Sequence, residues 1–473
     1  MKILLTGATG YIAQRLLPVL LDKGHEVICC VRDKNRFHPN KYSSANLSVV
    51  EVDFLRKDTL SSIPLDIDVA YYLIHSMASS TPNFEQLEEI SAHNFKEVIE
   101  TTKAQQVVYL SGIVNEERLS KHLESRKNVE AILQSGSFEL TTLRAGIIIG
   151  SGSASFEIIR DLVEKLPVMI APKWLLTKTQ PIAIRNVIEY LYGVLLNQST
   201  YNKSYDIGGT NILNYKQMLL DFAEVRELKR LIFTVPVLSP KLSSYWLYFI
   251  TATSYSLAQN LVNSMKIEVI CRPNNLSGLL KINPINYKES IKLAFEKIEH
   301  QQVISSWKDA LTTDVLNKGI SESIKVPIHG CYKDKRKIFL ENPDSALKKI
   351  WAIGGDTGWY YANFLWKIRG FIDKLEGGVG LRRGRKNKFE IEAGETLDFW
   401  RVLYENKDEK RLLLYAEMKL PGEAWLEFKI DEKNFLTQTA TFRPLGLLGR
   451  IYWYSVLPFH AVIFRGMIKR LAE

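Results

Sequence analysis

The chain has 473 residues, too many for one ordinary domain and enough for two to four units with their own cores. Hydrophobic residues make up 46% and charged residues 24%, which excludes a disordered or collagen-like chain. The net charge of +10 is uneven: residues 321–473 carry 27 Lys and Arg against 20 Asp and Glu, while the other 320 carry 35 against 32. The last third is therefore suited to an acidic ligand or an anionic membrane surface. Cys29, Cys30, Cys271 and Cys331 form no CxxC pair, so no disulfide scaffold or cysteine-rich zinc site is expected and a reducing, cytoplasmic compartment is the default.

The first 150 residues alternate short β-rich runs with helical patterns. Ile3–Leu5, Val27–Val31, Ser48–Val52, Val69–Leu73, Gln106–Leu110 and Leu140–Leu143 read as strands, and Tyr11–Lys23 and Asn83–Ala104 as helices. That alternation predicts an α/β fold with a doubly wound parallel Rossmann sheet. Met1 to Leu5 is too short an apolar run for a signal peptide.

Residues 6–13, Thr-Gly-Ala-Thr-Gly-Tyr-Ile-Ala, follow the first strand and open the first helix. Gly7 permits the tight turn, Gly10 lets peptide N–H groups approach a diphosphate at the helix N-terminus, and Ala13 allows close helix–sheet packing. After the second strand come Val31-Arg32-Asp33. Arg32 suits a ribose 2′-phosphate and favours NADP, while Asp33 leaves NAD open. Asp53, after the third strand, is either a cap for the adenine amino group or an ordinary turn aspartate.

Residues 151–300 read as a mostly helical substrate lobe. Leu242–Met265 carries no charge, but ten of its 24 residues are Ser, Thr, Asn or Gln. It reads as a lid or pocket wall rather than a membrane span. The pattern weakens at 300–325 and a boundary is placed near 320, giving units 1–320 and 321–473. In the second unit Phe389–Ile391, Thr396–Glu405, Lys410–Leu420, Ala424–Asp431 and Asn434–Phe442 read as antiparallel strands and Arg450–Leu471 as a closing helix. This is an α+β module. The apolar stretch Leu445–Ile463 is expected to be a core-packed helix.

The aromatic residues of 354–369, with Trp400, Trp425, Tyr452 and Trp453, are expected either to fill a core or to line a cavity for a bulky apolar molecule. Residues 377–388 place three glycines before a run rich in Arg and Lys, which reads either as a flexible solvated turn or as a site for an anionic lipid or an acidic substrate tail. No aromatics interleave with that run, so nucleic acid is not expected as a partner. Asp356, Asp398, Glu417, Glu423 and His460 stand among apolar residues, and the carboxylates are expected to find ion-pair partners among Arg369, Arg401 and Arg443. No metal-ligand spacing is present.

The segments "TGATGYIA", "VVEVDF", "AYYLIHSM", "VVYLSGI", "HLESRKNVEAIL" and "TTLRAGIIIG" resemble the atypical, NmrA-like branch of the short-chain dehydrogenase/reductase superfamily. The whole chain resembles a two-domain group in which that module precedes a helix-grip (START/polyketide-cyclase-like) domain, through "GGDTGWYYANFLWKIRG", "AEMKLPGEAWLEF" and "YWYSVLPFH". The resemblance implies cofactor contacts from Thr6, Gly7, Thr9, Gly10, Tyr11 and Ile12, from Arg32 and Asp53, and from Leu73 and His75. It implies a catalytic Ser at Ser111. At the positions of the superfamily's Tyr and Lys, this sequence has His122 and Arg126. The expectation is an NADP(H)-binding protein, with NAD open, that acts on or senses a hydrophobic carbonyl, quinone or lipid-like molecule. The alternative is a non-catalytic NADP(H) sensor or scaffold. A location in the cytoplasm, or peripheral to the inner face of the membrane, follows from the same reading. Oligomeric state is left open.

Overall fold

The computed structural model describes residues 1–34, 37, 42, 44–74, 84–114, 121–235, 262, 265–299, 326, 331–376, 378, 380, 390–444 and 446–473. They fall into two compact units, one up to residue 299 and one from residue 326.

The first unit opens with β1 (Lys2–Leu5), α1 (Ala13–Asp22), β2 (Glu26–Val31), β3 (Leu47–Glu51), β4 (Val69–Tyr72), α2 (Phe84–Ile99), β5 (Gln106–Gly112), α3 (Lys121–Gln134) and β6 (Glu139–Ala145). It continues with β7 (Ile148–Ile149), α4 (Ala154–Lys165), β8 (Val168–Pro172), β9 (Lys178–Thr179), β10 (Ile182–Ala183), α5 (Ile184–Gly193) and β11 (Lys203–Ile207). Then follow β12 (Leu213–Asn214), α6 (Tyr215–Val225), β13 (Leu231–Val235), α7 (Leu276–Leu280) and α8 (Tyr287–Glu299).

Seven strands form one parallel sheet in the order β11-β6-β5-β4-β1-β2-β3. Successive residues feed opposite faces, as the two-residue period of a strand requires. Ile3, Leu5, Val27, Cys29 and Val31 pack with α1 and α5. Leu4, Ile28, Cys30, Ala70 and Tyr72 pack with α2 and α3. Both faces are covered, so the strands are near-continuous apolar runs. Helix α1 presents Ala13, Leu16, Leu17 and Leu20 to the sheet at helical spacing. The four cysteines are all free, and burial pushes the Cys29 and Cys30 thiols up.

The seventh strand was not expected. Strand β11 and helix α5 lie inside the span read as a substrate lobe, yet Val187, Leu191, Tyr205 and Ile207 belong to the sheet's core. The lobe proper is built from α4, α6 and α8, whose Phe156, Phe222 and Phe295 rings meet at 5.3–5.7 Å. Of the uncharged stretch Leu242–Met265, only Val262 and Met265 lie within the described residues.

The second unit comprises β14 (Tyr332–Phe339), α9 (Pro343–Trp351), α10 (Asn363–Leu375), β15 (Thr396–Leu397), β16 (Trp400–Asn406), β17 (Arg411–Ala416), β18 (Gly422–Ile430), β19 (Phe435–Pro444) and α11 (Gly446–Ala472). Its six strands form an antiparallel sheet, β14-β19-β18-β17-β16-β15. The span Thr396–Glu405 is not one strand. Thr396 pairs with Arg401 and Leu397 with Trp400, so the chain reverses at Asp398, whose φ is +54°. Of the strand expected at Phe389–Ile391, the described residues 390 and 391 are not in a strand. Strand β14 was missed.

Trp359, Trp366, Trp400 and Phe399 are buried and pack ring to ring, with Trp359 and Trp366 stacked at 4.8 Å. Asp398 accepts a 2.6 Å hydrogen bond from the Trp359 indole. Glu417 pairs with Arg401 at 2.8 Å, both fully buried, and Glu423 lies 3.7 Å from Arg443. Asp356 is exposed. Asp373, which sequence reading passed over, is also fully buried and accepts from the peptides of Gly380 (2.7 Å) and Lys419 (2.6 Å). A Cβ on Gly378 would stand 2.2 Å from that carboxylate, so close approach at this glycine serves Asp373. Arg382 and Arg383 lie outside the described residues.

Helix α11 departs from its expected role as a core helix. Trp453, Phe464, Met467, Ile468 and Leu471 are buried, but most side chains from Leu447 to Val462 are not. Among the described residues, Leu447–Ala472 is the one helix long and apolar enough to cross a membrane, by length and composition only.

Two tests follow from these burials. Arg401→Met leaves Glu417 buried without its cation and is expected to cost about 3–5 kcal/mol, most of it recovered by adding Glu417→Met. Urea unfolding read by tryptophan fluorescence measures this, because six of the nine tryptophans lie between 351 and 453. His460 sits against the Trp453 and Phe464 rings, and burial lowers its pKa from 6.5 to about 4. The unfolded chain therefore takes up a proton that the folded chain refuses. Stability should fall as pH drops from 6.5 towards 4, and His460→Gln should flatten the profile across that window.

Candidate functional site

The strand order reverses between β1 and β4, which opens a crevice at the carboxyl ends of the strands. The turn Thr6–Ile12 sits there. Gly7 has φ +63°, and a Cβ on it would stand 2.7 Å from the Leu73 carbonyl oxygen. Gly10 donates to the Gly7 carbonyl at 2.7 Å, and a Cβ there would lie 2.9 Å from the same oxygen. Both positions require glycine. Helix α1 starts with no side-chain cap, and its Gln14 and Arg15 N–H groups donate to the Gly10 and Ile12 carbonyls at 3.1 and 3.0 Å.

The other expected cofactor residues divide by role. The Thr6 hydroxyl is buried, donating to Tyr71 O at 2.9 Å and accepting from Leu73 N at 3.1 Å, so it joins β1 to β4. The Thr9 carbonyl accepts from the Gln14 amide at 3.1 Å. Arg32 is exposed at the end of β2, and Asp33 is buried. Asp53 accepts from Leu55 N at 3.1 Å, the geometry of a turn aspartate, and its charge acts on Arg32. Tyr11, Ile12 and Leu73 line a cavity. His75 lies outside the described residues, as does the side chain of His122, whose backbone falls in the first turn of α3.

The cavity holds about 400 Å³ and runs from the glycine turn into the lobe. Its walls are overwhelmingly apolar, including Ile158, Leu162, Met169, Leu175 and Leu219. Ser111 and Arg126 also line it, so the structure brings together two of the three expected catalytic residues. Ser111 is 5% exposed, and its hydroxyl, beside the Tyr109 phenol, has no partner at hydrogen-bond geometry among the described residues. Arg126 donates from Nη1 to Leu110 O at 3.0 Å, while its buried Nε meets no partner among them. Helix α3 is held in place one turn later, where Glu130 pairs with Arg144 on β6 at 2.6 Å. Met265 contributes to the cavity wall from the uncharged stretch read as a lid.

Two residues were missed. Arg15 is buried, lies 3.9 Å over the Tyr11 ring and donates to Ser151 O at 2.6 Å, tying the glycine turn to the start of the lobe. Its only signal was a cation on the inward face of an amphipathic helix. Burial pushes the Tyr11 phenol up to about 12, so it stays protonated at neutral pH. Trp174 also lines the cavity, with a buried indole N–H that has no acceptor among the described residues. Nothing local in the sequence marks it. Among the described residues no group of His, Cys, Asp or Glu could hold a metal ion.

Residues 7–161 match the family model described as NAD(P)H-binding, and residues 330–467 match the family described as Protein of unknown function (DUF2867). No curated protein matches the chain significantly. A nucleoside-diphosphate-sugar epimerase from Staphylococcus aureus is 14% identical, covering 62% of this chain and 100% of its own, with a TM-score of 0.50. UDP-glucuronic acid 4-epimerase from Bacillus cereus, solved with UDP-glucuronic acid and NAD, is 17% identical over 63% and 99% of the two chains, with a TM-score of 0.49. The first unit is thus an NAD(P)H-binding module on a Rossmann-like fold.

The glycine turn makes a paired prediction. Gly7→Ala combines a left-handed φ with a backbone clash and is expected to cost at least about 2 kcal/mol and to weaken coenzyme binding more than about tenfold. Gly24→Ala has φ +78° with nothing within 4 Å of the new methyl. It should cost about 1 kcal/mol and leave binding unchanged. Thermal unfolding and NADPH fluorescence titration separate the two.

Proposed function

We propose that the chain is an NADP(H)-dependent reductase of the NmrA-like short-chain dehydrogenase/reductase type, acting on a bulky apolar carbonyl compound. The observation that carries this reading is the apolar cavity, in which buried donors from Ser111, Arg126 and Trp174 find no acceptor among the described residues. Buried donors are costly when unmet, and a polar oxygen on an otherwise apolar molecule would satisfy them.

The residues fit a dinucleotide. The uncapped start of α1 meets the diphosphate, with Gly7 and Gly10 permitting the approach. Exposed Arg32 suits a 2′-phosphate, whereas Asp33, which would bind the ribose of NAD, is buried. When bound, the coenzyme supplies the hydride. Ser111 then donates a hydrogen bond to the carbonyl oxygen, and the Arg126 guanidinium stabilises the negative charge that grows there. His122, one turn before Arg126 on α3, is the candidate proton donor. The helix-grip reading of the second unit belongs to the same proposal. It is supported by a long C-terminal helix packed on an antiparallel sheet.

One feature favours a sensor instead. Arg126 is anchored on the Leu110 carbonyl, and no Tyr–Lys pair stands at the catalytic positions. The decisive experiment is NADPH oxidation against aldehydes, quinones and enones, beside equilibrium titration of NADPH and NADH. A reductase should turn over at least one class, and Ser111→Ala or Arg126→Gln should lower kcat/KM about a hundredfold. Arg32→Glu should weaken NADPH binding about ten- to a hundredfold and spare NADH. Binding without oxidation across the panel would leave the sensor, and no binding of either coenzyme at millimolar concentration would remove both readings.

A further inference from the structure

Helix α11 has two faces. One packs on the sheet through Phe464, Met467, Ile468 and Leu471, with Trp453 stacked on Tyr332 at 5.4 Å and on Phe442 at 5.8 Å. The other is apolar and in solvent. Leu447 and Leu448 are 72% and 74% exposed, and Ile451, Tyr454, Phe459 and Val462 continue the stripe at helical spacing. Helix α10 of the same unit repeats the pattern. Phe364, Ile368, Phe371 and Leu375, at i, i+4, i+7 and i+11, are all exposed.

The charges flanking these stripes are mostly cationic, with exposed Glu376 following α10 and Glu473, paired with Arg470 at 2.9 Å, following α11. Helix α11 carries Arg450, Arg465, Lys469 and Arg470 and no Asp or Glu along its 27 residues. Helix α10 carries Lys367, Arg369 and Lys374, and its one carboxylate, Asp373, is fully buried. An ordinary soluble surface interleaves both signs and keeps large apolar side chains sparse. A second copy docking face to face would set like charges against each other. Exposed aromatic and aliphatic stripes bordered mainly by cations match the chemistry of an anionic lipid surface.

A 27-residue helix is about 40 Å long and could span a bilayer. Its packed face forbids that, because β14 and β19 would be carried into hydrocarbon with it. The helix can only lie along the interface. We propose that the exposed faces of α10 and α11 dock this protein peripherally on a bilayer bearing anionic headgroups.

The test is flotation of the full chain with phosphatidylglycerol–phosphatidylcholine vesicles, with pure phosphatidylcholine vesicles in parallel. Recovery should be at least about tenfold higher on the anionic vesicles and should be lost in high salt. Leu448→Glu with Ile451→Glu, or Phe371→Glu alone, should abolish or sharply reduce it. Arg450→Gln with Arg465→Gln alters only exposed side chains and should weaken binding about tenfold or more, at about 1 kcal/mol per cation. That pair carries the test if circular dichroism shows the Glu variants unfolded. The proposal is overturned by no flotation, by equal flotation on neutral vesicles, or by indifference to these substitutions. Retention through an alkaline carbonate wash would overturn it in favour of a span. Self-association without lipid binding, dissolved by the Glu variants, would overturn it in favour of a second copy.

Discussion

The contact between the peptide of Gly7 and the carbonyl of Leu73 is the constraint on which the first unit's chemistry depends. Strands β1 and β4 run side by side until Leu5 and Tyr71, and there the chain after β1 must turn into α1. The Thr6 hydroxyl bridges Tyr71 O and Leu73 N, replacing a rung of the ladder where the strands part. Gly7 turns directly beneath Leu73 O, in a conformation and a space that admit no Cβ. Leu73 is in turn a wall of the cavity. The glycine turn and the wall that shapes the pocket are therefore one contact. Neither can be altered without moving the other.

Buried polar groups in the two units do different work. In the second, Arg401 meets Glu417 and the Gly394 carbonyl, and Asp373 meets two peptide N–H groups. Each buried charge has a partner, as stability demands. In the cavity of the first, Ser111 Oγ, Arg126 Nε and Trp174 Nε1 are buried without one among the described residues. Unmet indole N–H groups also occur in the second unit's core, at Trp366 and Trp400; what distinguishes Ser111, Arg126 and Trp174 is that all three line one apolar cavity. Departures from local consistency of this kind collect at functional sites.

What could be read from the sequence was what local physics dictates. The core strands are apolar on both faces, so their runs of Val, Ile and Leu stood out, and the glycine turn is a contiguous motif set by its own backbone. Strand β11, Lys-Ser-Tyr-Asp-Ile, carries two charges and was passed over, because its place is fixed by pairing with β6 some sixty residues earlier. Strand β14, Tyr-Lys-Asp-Lys-Arg-Lys-Ile-Phe, hides its two-residue alternation under charge, as an edge strand does. The reversal at Asp398 needs a positive φ, which aspartate adopts more readily than most residues, but one aspartate inside a β-rich run is too weak a signal to break the strand. Arg15 and Trp174 owe their positions to tertiary packing. The acceptor of Arg15, Ser151 O, is 136 residues away.

An apolar pocket and an apolar, cationic surface on the same chain obey a common logic. A bulky molecule able to fill a 400 Å³ cavity with such walls dissolves poorly in water and collects in bilayers. A protein free in solution would meet it rarely. One held at the interface by α10 and α11 would sample it at the much higher local concentration that tethering supplies, with no change in the pocket's own affinity. The electrostatics fit this division of labour. The second unit carries most of the cationic excess, while the first is nearly balanced and keeps its charged groups at strand ends and helix faces. On the proposed reading, surface attachment and pocket selectivity would rest on separate residues, the first sensitive to salt and the second to shape.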